Sequence, residues 1–142
     1  MIDITNLSGR LQYVNSLKKI GKTILDKERK GHLALSVVLL KESKMQELNR
    51  TYRGKDKSTN VLWFPSGNDK IPSGVEGLGL GELVLCPAKI RKDAVKYGIT
   101  FKAELCRIFI HGLLHLIGHD HKKDADFKKM SQKEEQYLSL IS

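Results

Sequence analysis

His111-Gly112-Leu113-Leu114-His115-Leu116-Ile117-Gly118-His119-Asp120-His121 gathers four of the chain's five histidines into eleven residues. His111 and His115 stand four positions apart, so on an α-helix both project from one face about a turn from each other. Two imidazoles so placed can grip a single ion but leave its coordination incomplete. Gly118, three residues past His115, can end the helix in a left-handed conformation and turn the chain back. A further histidine beyond that turn then closes on the same ion. His121 is the expected third ligand, giving H-x3-H-x5-H, with His119 beside the turn as the alternative. Three neutral imidazoles leave the fourth tetrahedral position to water, which is the pattern of a catalytic zinc, one Zn2+ per chain, rather than a structural one. Zinc in such a site brings the pKa of its water to about 7. Asp120 either caps the loop or orients an imidazole from behind, and His32, isolated in an apolar run, reads as a packed or surface histidine.

The same spacing around a central glycine occurs in the metzincin proteases, H-E-x-x-H-x-x-G-x-x-H, where the Glu takes the proton from the attacking water. Here that position is Gly112, which cannot accept a proton. The metal frame is zincin-like, while the protease base is missing.

Working outward, Leu105, Ile108, Phe109 and Leu116 extend the histidine segment upstream as one helix that Thr100 can cap. A last helix opens at Asp124 and carries Phe127, Met130, Tyr137, Leu138 and Ile141 on one face. Before the histidine helix, Leu80 to Cys86 has strand length, and Pro87 suits the first position of a helix ending at Gly98. Thr59 to Phe64 is β-branched and aromatic and stops at Pro65, so it reads as a strand, followed by a glycine-rich turn region from Ser66 to Gly79. Ser43 with Gln46 predicts a capping box for a helix whose Met45, Leu48 and Tyr52 face inward up to Gly54, with Lys55 to Ser58 as a loop. Leu33 to Leu40 predicts a buried strand, and Leu11, Val14, Leu17, Ile20 and Ile24 mark an amphipathic helix in a segment closed by Gly31. The order α-β-α-β-β-α-α-α predicts an α+β fold. Residues 1–142 form a single domain with a small mixed β-sheet, packed helices and a metal site at the end of a central helix, with no repeat or linker.

At 142 residues the chain can bury one full core. Its 25 Lys and Arg against 16 Asp and Glu give a formal charge of +9, which attracts polyanions such as RNA, although a lysine-rich solvated surface has the same composition. Cys86 and Cys106 lie in apolar stretches outside any C-x-x-C pair, as expected of reduced thiols in a cytoplasmic protein. Met1 to Arg10 lacks the basic and apolar regions of a secretory signal. Ile108 to Gly118 is shorter than the roughly 20 residues of a membrane span, so a soluble protein without a membrane partner is expected.

The histidine run, together with Leu48-Asn49-Arg50-Thr51-Tyr52-Arg53-Gly54-Lys55-Asp56, Thr59-Asn60-Val61-Leu62 and Leu80-Gly81-Glu82, resembles the YbeY family of bacterial endoribonucleases over residues 43–121 in order and spacing. The specific part is H-G-x-L-H-L-x-G-x-D-H. This resemblance implies a zinc-dependent endoribonuclease that prefers single strands and acts in 16S rRNA maturation and ribosome quality control, with rRNA as substrate and the ribosome or a ribosomal protein as a further partner. It also carries Arg53 over as the family's functional arginine, suited to neutralise charge growing on phosphorus. Arg50, Lys55 and Lys57 beside it can track a phosphate backbone.

The chain departs from the family's usual Thr-Asp-Val-Leu-Ser-Phe-Pro at Asn60 and Trp63. If the family's Asp caps a turn, which is the favoured reading, asparagine serves nearly as well. Trp63 either stacks a base or fills the core. The proton acceptor stays open among hydroxide on the metal, Asp120 and the substrate's own 2′-OH. A ribosome-assembly factor with a secondary metal site, or a metal-dependent hydrolase of another substrate, are the rival expectations.

Overall fold

A computed structural model describes residues 2–66, 79–118 and 124–140, and the side chains of all of these except 124–127. The glycine-rich stretch 67–78, His119, Asp120, His121 and Ile141 therefore lie outside the described residues, as does the side chain of Phe127. Alternation of apolar side chains builds the sheet. Strand β1 (Ile2–Asn6) runs parallel to β2 (Ala34–Leu39), and β2 runs parallel to β4 (Gly79–Leu85). Strand β3 (Val61–Pro65) closes the order β1-β2-β4-β3 by pairing antiparallel with β4. The sheet is mixed, as the sequence predicts, but β1 is an addition to the predicted order. Its five residues carry the period-two pattern of Ile2 and Ile4, too short to stand out beside the helix that follows.

Residues of opposite parity face two different cores. Leu35, Val37, Leu39, Val61, Leu83 and Leu85 meet helix α1 (Val14–Lys27), helix α4 (Phe101–Ile117) and helix α5 (Asp124–Ser139). Leu62 and Val84 face the other way, where Met45 and Leu48 of helix α2 (Glu42–Arg53) cover them. Helix α3 (Pro87–Tyr97) opens with Pro87 and ends at Gly98, as predicted, and packs on α4. Thr100 caps α4 by accepting a hydrogen bond from the Ala103 amide at 3.1 Å. The capping box predicted at Ser43 and Gln46 is not formed. Helix α2 starts two residues earlier, after Lys41 in an extended conformation, which places Ser43 inside the first turn. Gln46 instead reaches Asp56 of the following loop at 3.1 Å.

Cys86 and Cys106 are free and buried, and burial pushes both thiols up from their ordinary pKa. Among the described residues no helix is long and apolar enough to cross a membrane. His32 is exposed.

Helix α4 approaches the sheet closely at Gly112. A Cβ there would lie 2.6 Å from Leu83 Cδ1 and 2.9 Å from Val61 Cγ2, both in the buried core. Alanine regains about 1 kcal/mol of helix propensity but overpacks the contact by about 1–3 kcal/mol. A Gly112→Ala chain is therefore expected to lose about 1 kcal/mol and melt a few degrees lower; a variant melting at or above wild type would show that the gap is wider than this geometry.

Helix α5 is fastened to the far end of α1. Glu28 Oε2 accepts from Lys133 Nζ at 2.5 Å and from the Tyr137 hydroxyl at 2.8 Å. Burial, and then the Glu28 carboxylate, push the Tyr137 phenol well above its ordinary pKa. Glu28→Ala strips a buried hydroxyl of its acceptor and should cost about 1–3 kcal/mol, read as a lower midpoint in urea.

Candidate active site

Buried Phe109, Gly112, Leu113 and Leu116 fix which side of α4 meets the sheet, and His111 and His115 fall half-buried on the flank of that surface. Their four-residue spacing becomes a real juxtaposition. The two imidazole centroids are 4.6 Å apart and the rings are inclined at 73°. Gly118 ends the helix at φ +111°, a left-handed conformation in which its amide hydrogen-bonds to the His115 carbonyl at 3.0 Å. The turn expected between His115 and the next histidines thus begins where the spacing places it. The expected ligand His121 and its alternative His119 belong to the residues not described.

The edge strand supplies the site's wall. Trp63 pairs in register with Leu83 and faces α4, where its ring stacks on His115 with centroids 4.2 Å apart and planes only 6° from parallel, and it meets His111 edge-on at 6.3 Å. Of the two roles considered for Trp63, neither describes this geometry fully. It packs at the core's margin, and one face is already taken by a histidine rather than open to a base. Such stacking restricts rotation of the His115 ring about its side-chain bonds, which prepares it for a fixed partner.

A second support was not visible in the histidine run. Glu134 of α5 places Oε1 2.5 Å from His111 Nδ1, so a carboxylate from 23 residues downstream holds the first imidazole. The signal that would have found it is the helix period: Glu134 shares a face with the buried Met130 and Tyr137, a position where an acid is otherwise unfavourable. Two turns before His111, the fully buried Glu104 takes a two-pronged ion pair from Arg107 at 2.7 and 2.9 Å. The pairing with Glu104 raises the Arg107 pKa further.

Arg53 comes from the other layer. It is exposed in the last residue of α2, next to Tyr52, whose ring meets Phe64 of β3 edge-on at 5.5 Å. Trp63 and Phe64, successive residues of the edge strand, thus touch the histidine helix and the arginine helix on opposite faces of the sheet. Among the described residues Arg53 forms no ion pair with an acid, whereas its neighbour Arg50 is 3.5 Å from Asp56. The loop after α2 is folded back on the helix. Asn49, 1% exposed, donates from Nδ2 to the Lys57 carbonyl at 2.8 Å, and Ser58 donates to Glu42 at 3.2 Å. This leaves Arg53, Lys55 and Lys57 exposed together at the end of α2. Asn60 extends the sheet by accepting from the Cys86 amide at 3.0 Å through its backbone, and among the described residues its side chain makes no hydrogen bond, so no turn cap is seen there.

Two imidazoles converging from one helix face, one held by a carboxylate and one by an indole, are donors suited to a borderline-soft divalent ion such as zinc. Comparison with known proteins agrees with the resemblance drawn from the sequence. The family described as Endoribonuclease YbeY matches residues 3–142. A Thermodesulfovibrio yellowstonii protein named Endoribonuclease YbeY is 40% identical over 130 residues, 91% of this chain and 79% of its own length. One of the same name from Carboxydothermus hydrogenoformans is 34% identical over 146 residues, 99% of this chain and 97% of its own. A solution structure of a Thermotoga maritima protein superposes with a TM-score of 0.72 at 32% identity, covering 99% of this chain and 89% of the other. With its sheet, its histidine helix and nearly its whole length matched, the chain belongs to the YbeY endoribonuclease family and is a nuclease of the hydrolase class.

Proposed function

We propose that the chain is a zinc-dependent endoribonuclease that cleaves single-stranded regions of rRNA in the cytoplasm, in 16S rRNA processing and ribosome quality control. One observation supports it most: His111 and His115 are brought side by side on α4 and each is fixed by a neighbour, Glu134 and Trp63. His121 completes the ligand set in this reading. Zinc held by the three histidines supplies Lewis acidity, which makes water a nucleophile at neutral pH.

The chain's own residues do the rest. Exposed Lys55 and Lys57 attract the phosphate backbone, and their exposure lets them follow a flexible strand. Arg53, whose planar fork of donors matches phosphate oxygens, neutralises negative charge as it grows on phosphorus. Trp63 and Glu134 keep the two imidazoles from rotating as substrate arrives. Gly112 offers no carboxylate beside the first histidine, so the proton of the attacking group, water or the substrate's own 2′-OH, goes to another acceptor, for which Asp120 is the nearby carboxylate in the sequence.

Purified protein should contain about one zinc per chain and cleave an unstructured RNA while leaving casein intact. His115→Ala is expected to lose the metal and with it cleavage, by 100-fold or more, on the order of 3 kcal/mol of transition-state stabilisation. Wild-type metal content in that variant would sink the ligand assignment. Arg53→Ala should keep the zinc and the fold but cut turnover by about 100-fold, the scale of one lost charge-stabilising group. Full turnover by Arg53→Ala would remove Arg53 from the chemistry, and normal ribosome maturation by both variants would favour an assembly factor over a nuclease.

A further inference from the structure

Glu134 stands on the inward face of α5 between Met130 and Tyr137, which are 2% and 3% exposed. A carboxylate in such a place is costly unless it receives a strong charge-assisted hydrogen bond. It receives one from His111, whose Nδ1 is 2.5 Å from Oε1. Arg107, one turn before His111 on α4, lies close enough for the Glu134 charge to help keep its guanidinium protonated, after the larger effect of Glu104.

An imidazole that donates from Nδ1 can bind a metal only through Nε2. We propose that Glu134 is a positioning residue that holds His111 as the Nδ1–H tautomer and aims Nε2 as the ligating atom. The contact is made by the protein alone, so the ring is arranged before any ion arrives. The role rests on the metal reading above for its purpose, not for its geometry. Anchoring of α5 does not depend on it, because Lys133 and Tyr137 fasten the same helix to Glu28. Loss of Glu134 therefore removes the hold on His111 while leaving the helix in place.

Two measurements test this, using zinc itself as the probe. In metal-free protein, long-range 1H–15N correlation of the imidazole nitrogens should show His111 as Nδ1–H in wild type. Glu134→Gln, whose amide oxygen still accepts, should keep that tautomer, and Glu134→Ala should shift it toward Nε2–H. Zinc affinity, measured by competition with a chromogenic chelator, should fall by about 10- to 100-fold in Glu134→Ala, the usual loss when a ligand's supporting partner is removed. The loss should be smaller in Glu134→Gln. Lys133→Ala, which weakens the α5 anchor without touching His111, should bind zinc like wild type, so any effect of helix loosening is separated from loss of the hydrogen bond. The proposal is overturned if wild-type His111 is already Nε2–H, if Glu134→Ala keeps wild-type tautomer and affinity, or if Lys133→Ala loses as much affinity as Glu134→Ala. A wild-type chain that takes up no zinc sinks the metal reading instead. In that protein a tautomer change between wild type and Glu134→Ala still upholds the hold on His111.

Discussion

Helix α4 lies as close to the sheet as it does because Gly112 has no side chain to hold it off from Leu83 and Val61. That contact sets the height of the helix over the sheet. His115, three residues on, consequently comes within stacking distance of the Trp63 ring on the edge strand, and His111, one residue back, turns toward α5. The same constraint settles a chemical question. In a metzincin the residue at this position is the glutamate that takes the proton from water. Here a glutamate would have to enter the core between two buried aliphatic side chains, where an unpaired carboxylate is strongly disfavoured. The absence of a protease base is thus built into how the helix packs, and reverting that one residue cannot restore it.

The candidate site residues come from both faces of the sheet. The histidines belong to the thick layer of α1, α4 and α5, and Arg53 belongs to the thin layer formed by α2. The edge strand β3 touches both layers, its alternation presenting Trp63 to one and Phe64 to the other. An edge strand with a tryptophan on its inner side is more constrained than a serine there would make it, since the indole must fit between the strand and two imidazoles. The chain's difference from the family's usual residue therefore bears on the histidines directly.

Much of this was legible in the sequence where the determining interaction is local. The i, i+4 spacing of His111 and His115, the helix stop at Gly118, the cap at Thr100 and Pro87 at the start of α3 all rest on neighbours within a turn, and each has the predicted geometry. The failures are non-local or compete with something non-local. Strand β1 is defined by its pairing with β2, some 30 residues away across α1, and not by its own short pattern. Ser43 looks like a cap until the loop at Asp56 draws Gln46 away and Glu42 turns to Lys92 and Ser58. Glu134 is separated from His111 by 23 residues, so only the docking of α5 reveals it. Arg53 owed its selection to family resemblance; its own surroundings, exposed and at a helix end, distinguish it little from Lys55 or Lys57.

The clamp at Glu28 joins partners 105 and 109 residues apart in the chain. A polypeptide made from its N-terminus can form β1, α1 and β2 early, yet the support behind His111 is on α5, 23 residues after it. Until α5 has been made and has docked, Glu134 has no fixed position and the histidine pair lacks one of its two braces. The order of synthesis thus sets the order of assembly: the brace behind His111 is in place only after α5 has been made.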